Sequence, residues 1–108
     1  MFTTHSETGY KPLLAGITMR TLVYGEKSLL TEFHLAKDAV IPLHAHPQEQ
    51  TGYLVSGRIR FTVAGETFEA APGDAWCIHG GVQHMAEILE DSVAVEVFSP
   101  VREDYLPG

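Results

Sequence analysis

Short runs in which apolar and polar positions alternate recur along the chain, each closed by a turn signal. In RIRFTV, Ile59, Phe61 and Val63 are apolar while Arg58, Arg60 and Thr62 are polar, a period of two that places one apolar set on one face of a strand. The same reading predicts strands over Gly16 to Tyr24, ended by Gly25-Glu26, and over Leu29 to Leu35, ended by Lys37-Asp38. Gln50 to Val55 is closed by Ser56-Gly57, and Arg58 to Val63 by Ala64-Gly65. A short return over Glu66 to Glu69 ends at Ala71-Pro72-Gly73-Asp74. Ala75 to Ile78, Val82 to Leu89 and Ser92 to Phe98 complete the set, the last two joined through Glu90-Asp91. No capped run of helical period interrupts them, so the spacing predicts an all-β sandwich or barrel. Without repeats, linkers or low-complexity tracts, the pattern reads as a single domain over 1–108.

The chemistry concentrates in histidines. His44 and His46 are separated by one residue, so on an extended segment both rings point the same way and converge on one metal ion. Pro42 and Pro47 flank the pair and keep the stretch extended. Gln50 opens the next strand, and His84 follows a Pro-Gly-Asp turn and a Gly-Gly. The stretch HAHPQEQTGYLVSG (44–57) resembles the first cupin motif, and PGDAWCIHGGVQH (72–84) resembles the second, which ends in the last histidine ligand. That resemblance implies a double-stranded β-helix, or jelly-roll, barrel with a divalent transition metal ion in its mouth. The implied ligands are His44, His46, Gln50 and His84. Cupins usually carry glutamate at the third position. The spacing here favours Gln50, because a shift of one residue turns Glu49 to the other face. Zinc, nickel, manganese, iron and copper all suit such a donor set. His79 reads as a rim residue, His34 as a surface or outer-layer residue, and His5 as part of a polar N-terminus.

The last strand leaves an alternative open. Glu96 and Phe98 share one parity and Val93, Val95 and Val97 the other, so periodicity alone allows either set to face the barrel interior. On the solvent-facing reading Glu96, Arg102, Glu103 and Asp104 are ordinary surface charges. The tail FSPVREDYL, following a His/His/Gln/His set, is similar to that of the small cupins of pectin and alginate degradation, which linearise 4,5-unsaturated uronates. The resemblance implies a pocket segment over 92–106, with Glu96 moving a proton, Arg102 holding the substrate carboxylate and Phe98 shaping the wall. The acidic position is usually aspartate, and here it is Glu96. An isomerase of this kind acts on a small sugar acid. The alternatives are an iron-dependent dioxygenase, another sugar-acid isomerase and a non-catalytic sugar-binding cupin. A homodimer is the implied assembly, since small cupins commonly pair or exchange an edge strand, and Gly16 to Tyr24 is the candidate strand.

Composition narrows the partners. Seven Lys+Arg against 14 Asp+Glu give a net charge of −7, with no cationic run, which excludes a phosphate-binding face for nucleic acid. Cys77 is the only cysteine, so neither an intrachain disulfide nor a cysteine-based zinc finger can form. It reads as a small buried residue of its strand, with a redox thiol at the barrel mouth as the alternative. The opening residues show no leader pattern and no apolar run reaches about 20 residues, so a cytoplasmic protein without a membrane segment is expected.

Overall fold

The structure, a computed structural model, describes residues 1–107. Its frame is one pair of long antiparallel strands, β5 (Glu49–Val63) and β8 (His84–Ser99), paired from Glu49 opposite Ser99 to Val63 opposite His84. Each serves two layers. The first half of β5 and the second half of β8 are flanked by β7 (Ala75–Ile78) on one side and by β3 (Leu29–Leu35), β2 (Ile17–Tyr24) and β1 (Lys11–Leu14) on the other. The remaining halves are flanked by β6 (Glu66–Ala70) and β4 (Val40–His44). All pairings are antiparallel, and the architecture is the expected all-β one. Among the described residues the only helix is a 3-10 turn, Glu103–Tyr105, and no helix is long and apolar enough to cross a membrane.

Two predicted turns are bends inside these strands. Ser56-Gly57 and Glu90-Asp91 lie where β5 and β8 pass from one layer to the other, and the pairing register shifts at Leu54, Ser56 and Arg58. A bulge of this kind bends a strand and increases its twist without ending it. Gly57 sits at φ +95°, and a Cβ there would lie 2.1 Å from Ser92 Oγ and 2.5 Å from the Asp91 carbonyl oxygen. Ser92 Oγ accepts from the Arg58 N–H at 3.1 Å and donates to the Glu90 carbonyl at 2.7 Å, pinning the two bends together. The last predicted strand pair is therefore continuous, and its first part begins at His84 rather than Val82.

The candidate dimer strand also needs correction. Gly16 to Tyr24 corresponds to β2, which is covered by β1 and so lies inside the sheet, leaving β1 at the edge. The proline at position 12 and the polar N-terminal residues hid β1 from a reading by alternation.

Inward parity fills the space between the layers with Ile17, Met19, Phe33, Leu54, Ile59, Phe61, Ile88 and their neighbours. Five polar residues are buried with them: Thr31, Gln50, His84, Ser92 and Glu96. Buried polar groups are costly unless hydrogen-bonded. Thr31 donates to the Glu96 carbonyl at 2.8 Å, and Ser92 makes the bend contacts. The other three converge on one place.

Candidate functional site

β4 ends at His44, the connecting loop carries His46, β5 brings Gln50 and β8 begins with His84. The three imidazoles face one another, with ring centroids 4.2 Å (His44–His84), 5.0 Å (His46–His84) and 5.6 Å (His44–His46) apart. Each Nδ1 lies against a main-chain carbonyl: Pro42 at 2.8 Å, Gln48 at 3.0 Å and Val82 at 2.9 Å. A neutral imidazole donates through one nitrogen only, so these contacts direct three unprotonated Nε2 atoms at one another.

The donor set fits a metal ion. His84 Nε2 is buried and has no hydrogen-bond partner in the protein. His46 Nε2 lies 3.0 Å from Gln50 Oε1, an acceptor, while its other nitrogen faces the Gln48 carbonyl. Two N–H donors at His46 would require an imidazolium. Burial, reinforced by the nearby Arg102 charge, instead pushes the His46 pKa below its ordinary 6.5. Burial does the same to His84. Lone pairs that face each other without protons call for a cation, and the three histidines form a group able to hold one.

Gln50 is the inward residue of its pair. It is 7% exposed, and its Nε2 donates to Glu96 Oε1 at 2.6 Å, which turns its carbonyl oxygen toward the histidines. Glu49 points out of the barrel, 3.7 Å from His79 Nδ1. Glu96 and Phe98 also face inward, 7% and 1% exposed, while Val93, Val95 and Val97 form the half-buried outer face of β8. Glu96 is thus no solvated charge. Burial raises its pKa above 4.5, against the lowering effect of hydrogen bonds from Gln50 and Trp76 and of the Arg102 charge. Both donors use Oε1, leaving Oε2 for the cavity that Glu96 lines.

The Trp76 indole N–H, 3.0 Å from Glu96 Oε1, is a contact that reading along the chain does not reveal. Trp76, Gly52 and Glu96 lie side by side on β7, β5 and β8. A Cβ on Gly52 would come 2.3 Å from the indole, so the ring reaches the carboxylate across a slot that only glycine leaves. A glycine inside an otherwise bulky strand was the available signal.

Beyond β8 the chain passes a cis Ser99–Pro100 bond and returns over the barrel mouth. Arg102, 17% exposed at its side chain, stacks on Tyr105 at 4.0 Å and Phe98 at 5.1 Å. Phe98 in turn meets the His46 ring edge-on at 5.7 Å. Asp104 grips the same guanidinium, accepting from Nη2 at 2.9 Å and from Nε at 3.3 Å. These groups share a cavity of about 300 Å³ with His44, His84, Gln50, Trp76 and Glu96. The predicted residues are therefore brought together, and Trp76, Asp104 and Tyr105 are added to them.

His79 is exposed and lies outside the barrel, as does Cys77. The expectation of a buried Cys77 fails because Trp76 and Ile78 take the inward parity of β7. His34 lies half-buried on the outer side of β3 beside Glu32 and Tyr10, and His5 is exposed.

A family model described as "Cupin domain" matches residues 31–100. The chain belongs to the cupin family. Among relatives, the pectin degradation protein KdgF of Dickeya dadantii (strain 3937) is 29% identical over 102 residues, 93% of each chain. The structure of KdgF from Halomonas sp. superposes with a TM-score of 0.92 at 29% identity, covering 98% of both chains. An RmlC-like cupin from Shewanella frigidimarina NCIMB 400 gives 0.92 at 25% identity, covering 97% of this cupin and 95% of that one. These likenesses extend well beyond the family match and, for the two structures, span nearly the whole chain.

Proposed function

We propose that this cupin is a metal-dependent enzyme of pectin degradation that opens and linearises 4,5-unsaturated uronates. One juxtaposition carries the reading: a histidine cluster, a buried carboxylate and an arginine share one cavity. The near full-length likeness to two KdgF proteins, one of them named a pectin degradation protein, supports a role in pectin degradation, and the resemblance of the tail FSPVREDYL supports the uronate. His44, His46, Gln50 and His84 are the residues that would hold the ion, which when bound polarises substrate oxygens and stabilises developing negative charge.

The substrate is a cyclic hemiacetal with an enol ether in its ring. Opening removes the anomeric hydroxyl proton, breaks the ring C–O bond and leaves an enolate. Protonation of that enolate at carbon gives the ketone. Glu96 takes the first proton on Oε2 and returns one to carbon, a role suited to a carboxyl that burial holds closer to neutrality. Gln50 and Trp76 hold its other oxygen and so fix its direction. Arg102 binds the substrate carboxylate, and Phe98 is the wall between that carboxylate and His46. The assembly is a homodimer, with the edge strand β1 available for pairing.

The decisive test follows a 4,5-unsaturated galacturonate monomer, made in situ by a lyase, by time-resolved NMR. Metal-loaded protein is expected to accelerate loss of the ring form, and His84→Ala to lose both bound metal and acceleration. If wild type, variant and buffer give the same trace, the reading fails. Oxygen uptake would then favour the dioxygenase alternative.

Asp104 imposes a further condition. It occupies the Arg102 fork that the substrate carboxylate must use, and it adds negative charge to a chain already at −7. Exposed ion pairs contribute about 0–1 kcal/mol, so Asp104→Asn is expected to lower KM about two- to five-fold. Unchanged KM in steady-state kinetics would show that Asp104 moves aside at no cost.

A further inference from the structure

Outside the barrel, behind the wall that carries Gln50, three metal-binding side chains of different kinds meet. Cys77 and His79 are two residues apart on and just beyond β7 and so project from the same face. Glu49 begins β5, beside the inward-facing Gln50–Ile78 pair, and points outward with Cys77 and His79. The Glu49 carboxylate, the Cys77 sulfur and a His79 ring nitrogen all lie within 4.8 Å of one another, with Glu49 Oε2 3.7 Å from His79 Nδ1. Ligand atoms around a four-coordinate zinc-like ion are about 3.3–3.6 Å apart, given bond lengths near 2.0–2.3 Å. Small rotamer adjustments of three exposed side chains close that gap.

The arrangement is not accounted for by packing. Cysteine is among the most buried residue types, yet here its neighbours Trp76 and Ile78 are buried and Cys77 is exposed. An exposed Glu49–His79 ion pair contributes little and leaves the thiol without a role. The backbone around the group is held: the Gly81 N–H donates to the His46 carbonyl at 2.8 Å, tying the loop after His79 to the segment that precedes Glu49.

We propose that Glu49, Cys77 and His79 form a second metal site, specific for a borderline-soft divalent ion of the zinc type and open at its fourth position. Thiolate, imidazole and carboxylate together select such an ion over magnesium or calcium. The ion joins the end of β7 to the start of β5, and so braces from outside the strand that presents Gln50 inside. The site stands apart from the barrel centre, whose candidate ligands include no cysteine.

That difference gives the test. Reduced full-length protein is titrated with Co(II) without oxygen, and a near-ultraviolet sulfur-to-cobalt charge-transfer band is expected to grow to saturation. The band persists in His84→Ala, disappears in Cys77→Ser, and needs at least about tenfold more Co(II) in His79→Ala. In a parallel measurement, Zn(II) slows alkylation of Cys77 in wild type and in His84→Ala but not in His79→Ala. No band in protein whose thiol titrates as free, a band that survives in Cys77→Ser, or alkylation indifferent to Zn(II) would each overturn the proposal.

Discussion

Glu96→Gln is expected to lower turnover of the unsaturated uronate by roughly 10²–10⁴-fold while leaving the fold intact or more stable. Glutamine is nearly isosteric, and its oxygen still accepts from the Gln50 amide and the Trp76 indole, but it cannot carry a proton. The stability half of the expectation follows from burial. A carboxyl whose folded pKa is raised binds its proton more tightly in the native state, so its contribution to stability falls as pH rises from about 4.5 through the raised value. The depressed pKa values of His46 and His84 act in the opposite direction, stability being lost as pH falls from 6.5 toward them. In chelator-treated protein, denaturant titrations between these limits separate the two. Glu96→Gln removes the decline at higher pH and leaves the acid-side loss. Full activity in the variant would remove Glu96 from proton transfer, and an unchanged pH profile of stability would show that its burial is not felt energetically.

The largest expected loss of stability is at the crossing of the two long strands. Gly57→Ala demands a left-handed backbone from a residue with a Cβ and drives that Cβ toward Ser92 Oγ and the Asp91 carbonyl. The backbone term is about 1–2 kcal/mol, and overpacking adds about 1–3 kcal/mol. A combined loss of about 2–5 kcal/mol is a large share of a typical 5–15 kcal/mol. Chemical denaturation should show a lowered midpoint with an unchanged slope. Adding Ser92→Ala removes the hydroxyl clash but neither the backbone strain nor the Asp91 contact, so the double variant should recover only part of the loss. A Gly57→Ala protein as stable as wild type would mean that the bend relaxes freely.

These two positions also mark what the sequence makes legible. Alternation located Leu29–Leu35 and Ala75–Ile78 to the residue, because strand parity is a local property. Ser56-Gly57 and Glu90-Asp91 resemble hairpin turns locally, and only the partner strand running past them distinguishes a bend from a reversal. The inward set on the second half of β8 was undecidable because valine tolerates the half-buried outer face of a central strand as well as a core. Residue type alone buries Cys77, whereas its parity, opposite to that of Trp76 and Ile78, points it outward. The site histidines were legible because their spacing is short, whereas Trp76 meets Glu96 only across three strands, and Asp104 meets Arg102 only once the tail folds over the mouth.

The three imidazoles are oriented by the carbonyls of Pro42, Gln48 and Val82, which belong to the main chain. A peptide carbonyl cannot be deleted by a point mutation, so the aim of the histidines is insulated from most of the genetic variation around them. The polar groups that line the cavity have no such protection, since Glu96, Arg102, Asp104 and Trp76 are each one codon change from something else. The barrel therefore aims its histidine cluster through the main chain and builds the rest of the cavity wall from replaceable side chains. Substitutions in that wall would alter what the cavity accepts while leaving the aim of the histidines in place.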